Sequence, residues 1–140
     1  MGSRAVLVGL VATGLGDLSQ KIRNLPGLLD AYERRTGLRL HPGSLNVRLP
    51  REYRVPPGSA RLEKEDYGGP VSAFLVPCRF WRVGEPDRAV AAFIVRTERS
   101  EEGLSVHPRT VVEVVAAARL REVFGLVDGD EVAVEVIEAR

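Results

Sequence analysis

Apolar and polar positions along the chain fall into short runs separated by glycine and proline. Residues 5–12 are nearly all apolar and rich in β-branched side chains, which predicts a strand buried on both faces. A glycine loop, Thr13-Gly14-Leu15-Gly16-Asp17, follows. Pro26 stands where a helix can begin, because its fixed φ and missing N–H suit a first turn. Leu28, Leu29 and Tyr32 then recur at helical spacing, and Gly37 can cap the end. The pattern predicts a short amphipathic helix over 26–36. Residues 44–49 alternate: Leu45, Val47 and Leu49 point one way, and Ser44, Asn46 and Arg48 the other.

Residues 50–58 are proline-rich and irregular. Residues 71–81 and 89–95 read as strands joined by the turn Val83-Gly84-Glu85-Pro86-Asp87. The charged stretch 97–103 reads as an exposed loop. Residues 110–115 read as a strand and 116–124 as a short helix ended by Gly125. After an Asp128-Gly129 turn, Val132, Val134 and Val136 alternate with Glu131, Ala133 and Glu135 in a half-exposed final strand. There is no repeat of solenoid length and no dividing linker. About six short strands and two short helices with turn signals between them predict one mainly β domain over residues 1–140, a compact β-barrel with helical inserts.

Composition narrows the function more than the fold. The 140 residues and 44% hydrophobic content suffice for one core. The 20 basic and 19 acidic residues leave a net charge of +1, which argues for neither nucleic acid nor an anionic membrane as partner. No run approaches the roughly 20 apolar residues of a membrane span, and residues 5–13 read as a strand rather than a leader, so a cytoplasmic location is expected. Nothing points to an obligate protein partner. Arginine far outnumbers lysine, which occurs only at Lys21 and Lys64, a bias that decides nothing about function. The lone Cys78 has no disulfide partner, and its apolar neighbours predict a buried, inert thiol.

A few residues can carry chemistry. Ser44 and Asn46 present a hydroxyl and a carboxamide oxygen on one strand face. Mg²⁺ favours such hard oxygen ligands alongside substrate phosphates, although a polar strand start after a Pro-Gly turn has the same look. The Gly14–Gly16 loop can offer N–H groups to a phosphate, or can simply be a tight turn; it is neither GxGxxG nor a P-loop. Glu113, a carboxylate on an apolar strand, must face a ligand, an arginine or solvent. Arg119 and Arg121 can hold phosphate in a bidentate way, or belong to a solvated helix face. His107 has no nucleophile signature near it, so a structural hydrogen bond is expected of it rather than a triad role. Tyr67, Phe74, Phe80, Trp81 and Phe93 can stack on a flat ring or fill the core.

In order along the chain, these features resemble one family. The series is Thr13-Gly14-Leu15-Gly16-Asp17, Pro42-Gly43-Ser44-Leu45-Asn46-Val47-Arg48-Leu49, Val112-Glu113-Val114-Val115-Ala116, Leu120-Arg121-Glu122 and Leu126-Val127-Asp128-Gly129-Asp130. It is similar to the CTP-dependent riboflavin kinases of archaea, from about residue 5 to residue 137. The resemblance implies a six-stranded cradle-loop β-barrel. It implies transfer of the γ-phosphate of CTP to the 5′-hydroxyl of riboflavin, giving FMN and CDP. It also implies Mg²⁺ held by Ser44 and Asn46, the former standing where the family carries threonine. Nucleotide contacts are implied for Gly14, Leu15, Gly16, Asp17, Leu18 and Ser19, and for Ala118, Arg119, Leu120, Arg121 and Glu122. Flavin contacts are implied for Ser105 and Glu113, with Glu113 also the candidate catalytic group.

The chain departs from the family at Leu18, where the family loop has glycine, and at Ser19 and Gln20, where an aromatic is common. Some family members carry an N-terminal helix-turn-helix domain; none is expected within these 140 residues. The altered loop keeps open a non-catalytic module that senses a flavin or nucleotide. A DNA-binding barrel is the third reading, and the near-neutral charge counts against it.

Overall fold

Side-chain alternation along the strands decides this architecture. The structure, a computed structural model, describes residues 4–13, 21 and 24–137; residues 14–20, which hold the glycine loop, lie outside it. Strands β1 (Arg4–Ala12), β2 (Leu45–Arg48), β4 (Ala73–Arg82), β5 (Val90–Thr97), β6 (Val111–Val115) and β7 (Glu131–Ile137) pair in the order β4-β5-β6-β2-β1-β7. β7 then pairs back onto β4, with Cys78 opposite Val136 and Phe80 opposite Val134, and the sheet closes into a six-stranded antiparallel barrel. A seventh strand, β3 (Ala60–Leu62), adds to β4 outside the ring. Closure leaves no sheet edge around the ring apart from short unpaired stretches.

The closed sheet has two hydrophobic cores. The interior takes one face of each strand, including Val11, Val47, Val76, Phe80, Ile94, Val112 and Val134. Helix α3 (Leu120–Phe124) adds Leu120 and Phe124, the latter edge-on to Phe80 with ring centroids 5.6 Å apart. A second core lies on the outer face. There α1 (Leu28–Thr36) packs Leu28, Ala31 and Tyr32 against Leu62, Leu75, Val95 and Val115. Gly37 ends α1 in the left-handed conformation (φ 78°), where a glycine carries no steric penalty.

Mainly β content, a barrel and short helices agree with the expectations above, and so do the strand at 44–49, the turn after Val83 and the Gly37 cap. Four details differ. β1 is not buried on both faces: Val6, Val8 and Leu10 are 52%, 44% and 45% exposed. The outer core covers β4 to β6, and no described residue lays a layer over β1. The charged stretch 97–103 is not simply loop. Thr97 Oγ1 accepts the Ser100 N–H at 3.1 Å and caps a one-turn helix, α2 (Glu98–Glu101). The helix expected over 116–124 begins only at Leu120. The Ala116 carbonyl instead accepts the His41 N–H at 2.8 Å, which holds that stretch against the segment before β2. The three-residue β3 was not anticipated, being too short to show a period.

β1 meets β2 closely enough that only glycine fits at position 9. A Cβ there would lie 2.6 Å from the Arg48 carbonyl oxygen and 2.7 Å from Val47 Cγ1. Gly9→Ala is expected to destabilise the fold by about 1–3 kcal/mol, as overpacking does. Urea unfolding would read this as a lower midpoint with an unchanged slope.

Candidate active site

β2 and β6 run antiparallel with Asn46 opposite Glu113. Because β2 sends Leu45 and Val47 into the barrel, Ser44 and Asn46 turn to the outer face. Glu113 turns the same way, between Val112 and Val114, which enter the interior. The sheet thereby brings three of the expected site residues together. Ser44 Oγ donates to Glu113 Oε1 at 2.8 Å. The Asn46 side chain is 6% exposed, and its Oδ1 is buried with no hydrogen-bond partner. An acceptor buried this way costs free energy unless something pairs with it.

Two recesses meet at this trio. A cleft of about 220 Å³ is lined by His41, Gly43, Ser44, Ala118, Arg119, Leu120 and Arg121, with no carboxylate among its described lining residues. On the other side lies a narrow, mostly apolar slot of about 80 Å³, lined by Leu25, Leu28, Tyr32, Tyr67, Val95 and Glu113 among others. A water-sized recess of about 20 Å³ beside it is lined by Asn46, Arg96, Thr97, His107 and Glu113. Ser44 therefore faces the cleft while Glu113 faces the slot, and one hydrogen bond joins them.

The remaining expected residues fall in different places. Ala118, Arg119, Leu120 and Arg121 line the cleft, but Glu122 points away and pairs with Arg119 at 3.1 Å on an exposed surface. Arg121 donates to Thr13 Oγ1 and to Asp128 Oδ1, both at 2.8 Å, and Thr13 Oγ1 donates to Asp128 at 2.6 Å. This network anchors Thr13, the first residue of the glycine loop. Gly14, Leu15, Gly16, Asp17, Leu18 and Ser19 lie outside the described residues. Ser105 is not among the described lining residues of these recesses, and its hydroxyl oxygen accepts the N–H of His107, which lines the small recess with Glu113. Cys78 is buried, and burial pushes its thiol up to about 12, so it offers no nucleophile. Of the aromatics, Tyr67 lines the slot and Phe80 fills the barrel.

Several participants were not anticipated. Tyr32 forms a wall of the slot, and burial, followed by the negative charge of Glu113, raises its phenol well above the usual range. Its helical spacing predicted only a core face. Arg96 is 5% exposed. It donates to the carbonyls of Tyr53, Arg109 (3.1 Å) and Val111 (3.0 Å), and pairs with Glu101 at 3.1 Å. Together these bonds hold the segment after β5 against the segment after β2. No local signal marks such a residue, because its partners come from distant stretches of chain.

The closed barrel thus carries on its outer side a cleft lined by Arg119 and Arg121 and a mostly apolar slot, and the Ser44–Glu113 hydrogen bond joins the two. The chain belongs to the CTP-dependent riboflavin kinase family: the family model, described as a domain of unknown function, DUF120, matches residues 11–136. It is 36% identical over 136 residues to a riboflavin kinase of Pyrobaculum arsenaticum, a match covering 94% of this chain and 60% of the relative. To a riboflavin kinase of Methanocella arvoryzae it is 33% identical over 139 residues, covering 95% and 58%. To one of Pyrococcus abyssi it is 30% identical over 138 residues, covering 94% and 58%. The chain thus spans about 60% of the length of these curated relatives. No described helix is long and apolar enough to cross a membrane.

The Thr13–Asp128–Arg121 network has a pH signature. The hydrogen bond from Thr13, and then Arg121, hold the Asp128 carboxyl below its ordinary value of 3.8. A depressed folded-state value means that the contribution is present above pH 3.8 and is lost as pH falls through the folded value. Melting temperatures of wild type and Asp128→Asn, measured from about pH 5 down to about pH 2, should therefore converge at the acid end. A constant offset over that range would rule out the linkage.

Proposed function

We propose that this chain transfers the γ-phosphoryl group of CTP to the 5′-hydroxyl of riboflavin, releasing FMN and CDP. The single observation that carries this reading is the Ser44–Glu113 hydrogen bond, which stands where the cleft meets the slot. An anionic nucleotide suits a cleft lined by Arg119 and Arg121 without a carboxylate. A flat, largely apolar ring suits a slot walled by Leu28, Tyr32 and Tyr67. Family membership supports both assignments.

Phosphoryl transfer is mostly a matter of positioning and charge neutralisation. Glu113 Oε1 is engaged by Ser44, and the residue lines the slot assigned to the acceptor. In this reading Oε2 accepts a hydrogen bond from the ribityl hydroxyl and takes its proton as the new P–O bond forms. The bond from the γ-phosphorus to the bridging oxygen breaks, and CDP leaves with that oxygen. Mg²⁺ is assigned to Ser44 Oγ and Asn46 Oδ1. The fit rests on the orphaned Asn46 oxygen, a hard ligand in want of a partner, next to a hydroxyl. Bound there, Mg²⁺ would neutralise phosphate charge. Selection of CTP is assigned to contacts with the edge of its base.

Incubation of the protein with riboflavin, Mg²⁺ and each of the four nucleoside triphosphates tests this directly. FMN is expected with CTP, and absence of FMN with all four would refute the reading. Asn46→Ala should lower kcat/KM by about a hundredfold; activity within about threefold of wild type would remove Asn46 from the metal site. Leu18 in the family's glycine position favours a second reading, binding without turnover. Calorimetry that detects riboflavin and CTP in a protein that makes no FMN would select it.

A further inference from the structure

The cleft is rich in hydrogen-bond donors, and most of them are already engaged. Arg121 is tied to Thr13 and Asp128, Arg119 to Glu122, and the Ser44 hydroxyl to Glu113. His41 is the exception. Its imidazole lines the cleft, and no hydrogen bond or ion pair engages it among the described residues. Its main chain is held at two points: its N–H donates to the Ala116 carbonyl at 2.8 Å, and its carbonyl accepts the Gly43 N–H, also at 2.8 Å. The ring lies alongside Gly43, where an added Cβ would be 3.7 Å from both Cδ2 and Nε2. A fixed backbone carrying a free donor into a carboxylate-free cleft is a pre-organised anion contact.

We infer that His41 is a donor-nucleotide residue whose imidazole N–H hydrogen-bonds the polyphosphate. The inference rests on the nucleotide reading of the cleft and adds a residue to it. An oxyanion partner follows from the company the imidazole keeps, two guanidiniums and a hydroxyl. A hydrogen bond to a charged oxygen, once lost, weakens binding by about tenfold or more.

Calorimetric titration of the full chain with CDP, and separately with inorganic tripolyphosphate, tests this. His41→Ala should weaken both by about tenfold. His41→Gln, which keeps an N–H donor, should stay within about threefold of wild type, whereas His41→Phe, which keeps only a ring, should behave like alanine. Riboflavin affinity, read from flavin fluorescence, should be unchanged in all three. His41→Ala binding CDP as wild type does would overturn the inference. So would a loss for CDP with none for tripolyphosphate, which would move the contact to the base or ribose. An equal loss for riboflavin would mean general disruption, and no binding of either anion by wild type would remove the site. The kinase reading fails separately, if wild type binds CDP yet forms no FMN.

Discussion

The pairing of β7 back onto β4 is the constraint on which the site depends. It turns a sheet into a ring, and a ring has an inside and an outside. The inside is filled with apolar side chains, so polar groups on the same strands must face outward. Ser44, Asn46 and Glu113 are held in one cluster by that rule and by the β2–β6 register, rather than by any loop. Catalytic geometry set by strands varies less than geometry set by loops. Helix α1 and β3 then cover part of the outer face, and the boundary of that cover is where the apolar slot opens.

The segment from Ser44 to Leu49 was legible because a period of two reports a strand with distinct faces, and the faces fell as expected. Glu113 was legible as an anomaly, a carboxylate amid valines. β1 was misread for a related reason. An all-apolar run does not reveal which face is covered, and the outward face of β1 is open in the described structure. Arg96 and the Thr13–Asp128–Arg121 network left no local signal. Thr13 and Asp128 lie 115 residues apart, and no pattern within a strand or helix announces such a bond. Tyr32 was visible only as one member of a helical stripe, while its part in the slot depends on how α1 docks.

Charges are distributed unevenly between the two recesses. The cleft carries arginines and an imidazole, whereas the slot carries Lys21 and Glu113 among mostly apolar walls. Under the proposed function, that difference suits the cleft to an anionic ligand and the slot to a flat one. The bond from Ser44 to Glu113 sits on the boundary between the two recesses.

Asn46 carries a consequence for the protein as a folded object. Its side chain is sealed among neighbours with one oxygen left unsatisfied. An apolar side chain of the same shape would carry no such desolvation penalty, so position 46 is not chosen for stability alone. A group that pairs with that oxygen in the folded chain alone would draw the folding equilibrium toward the native state.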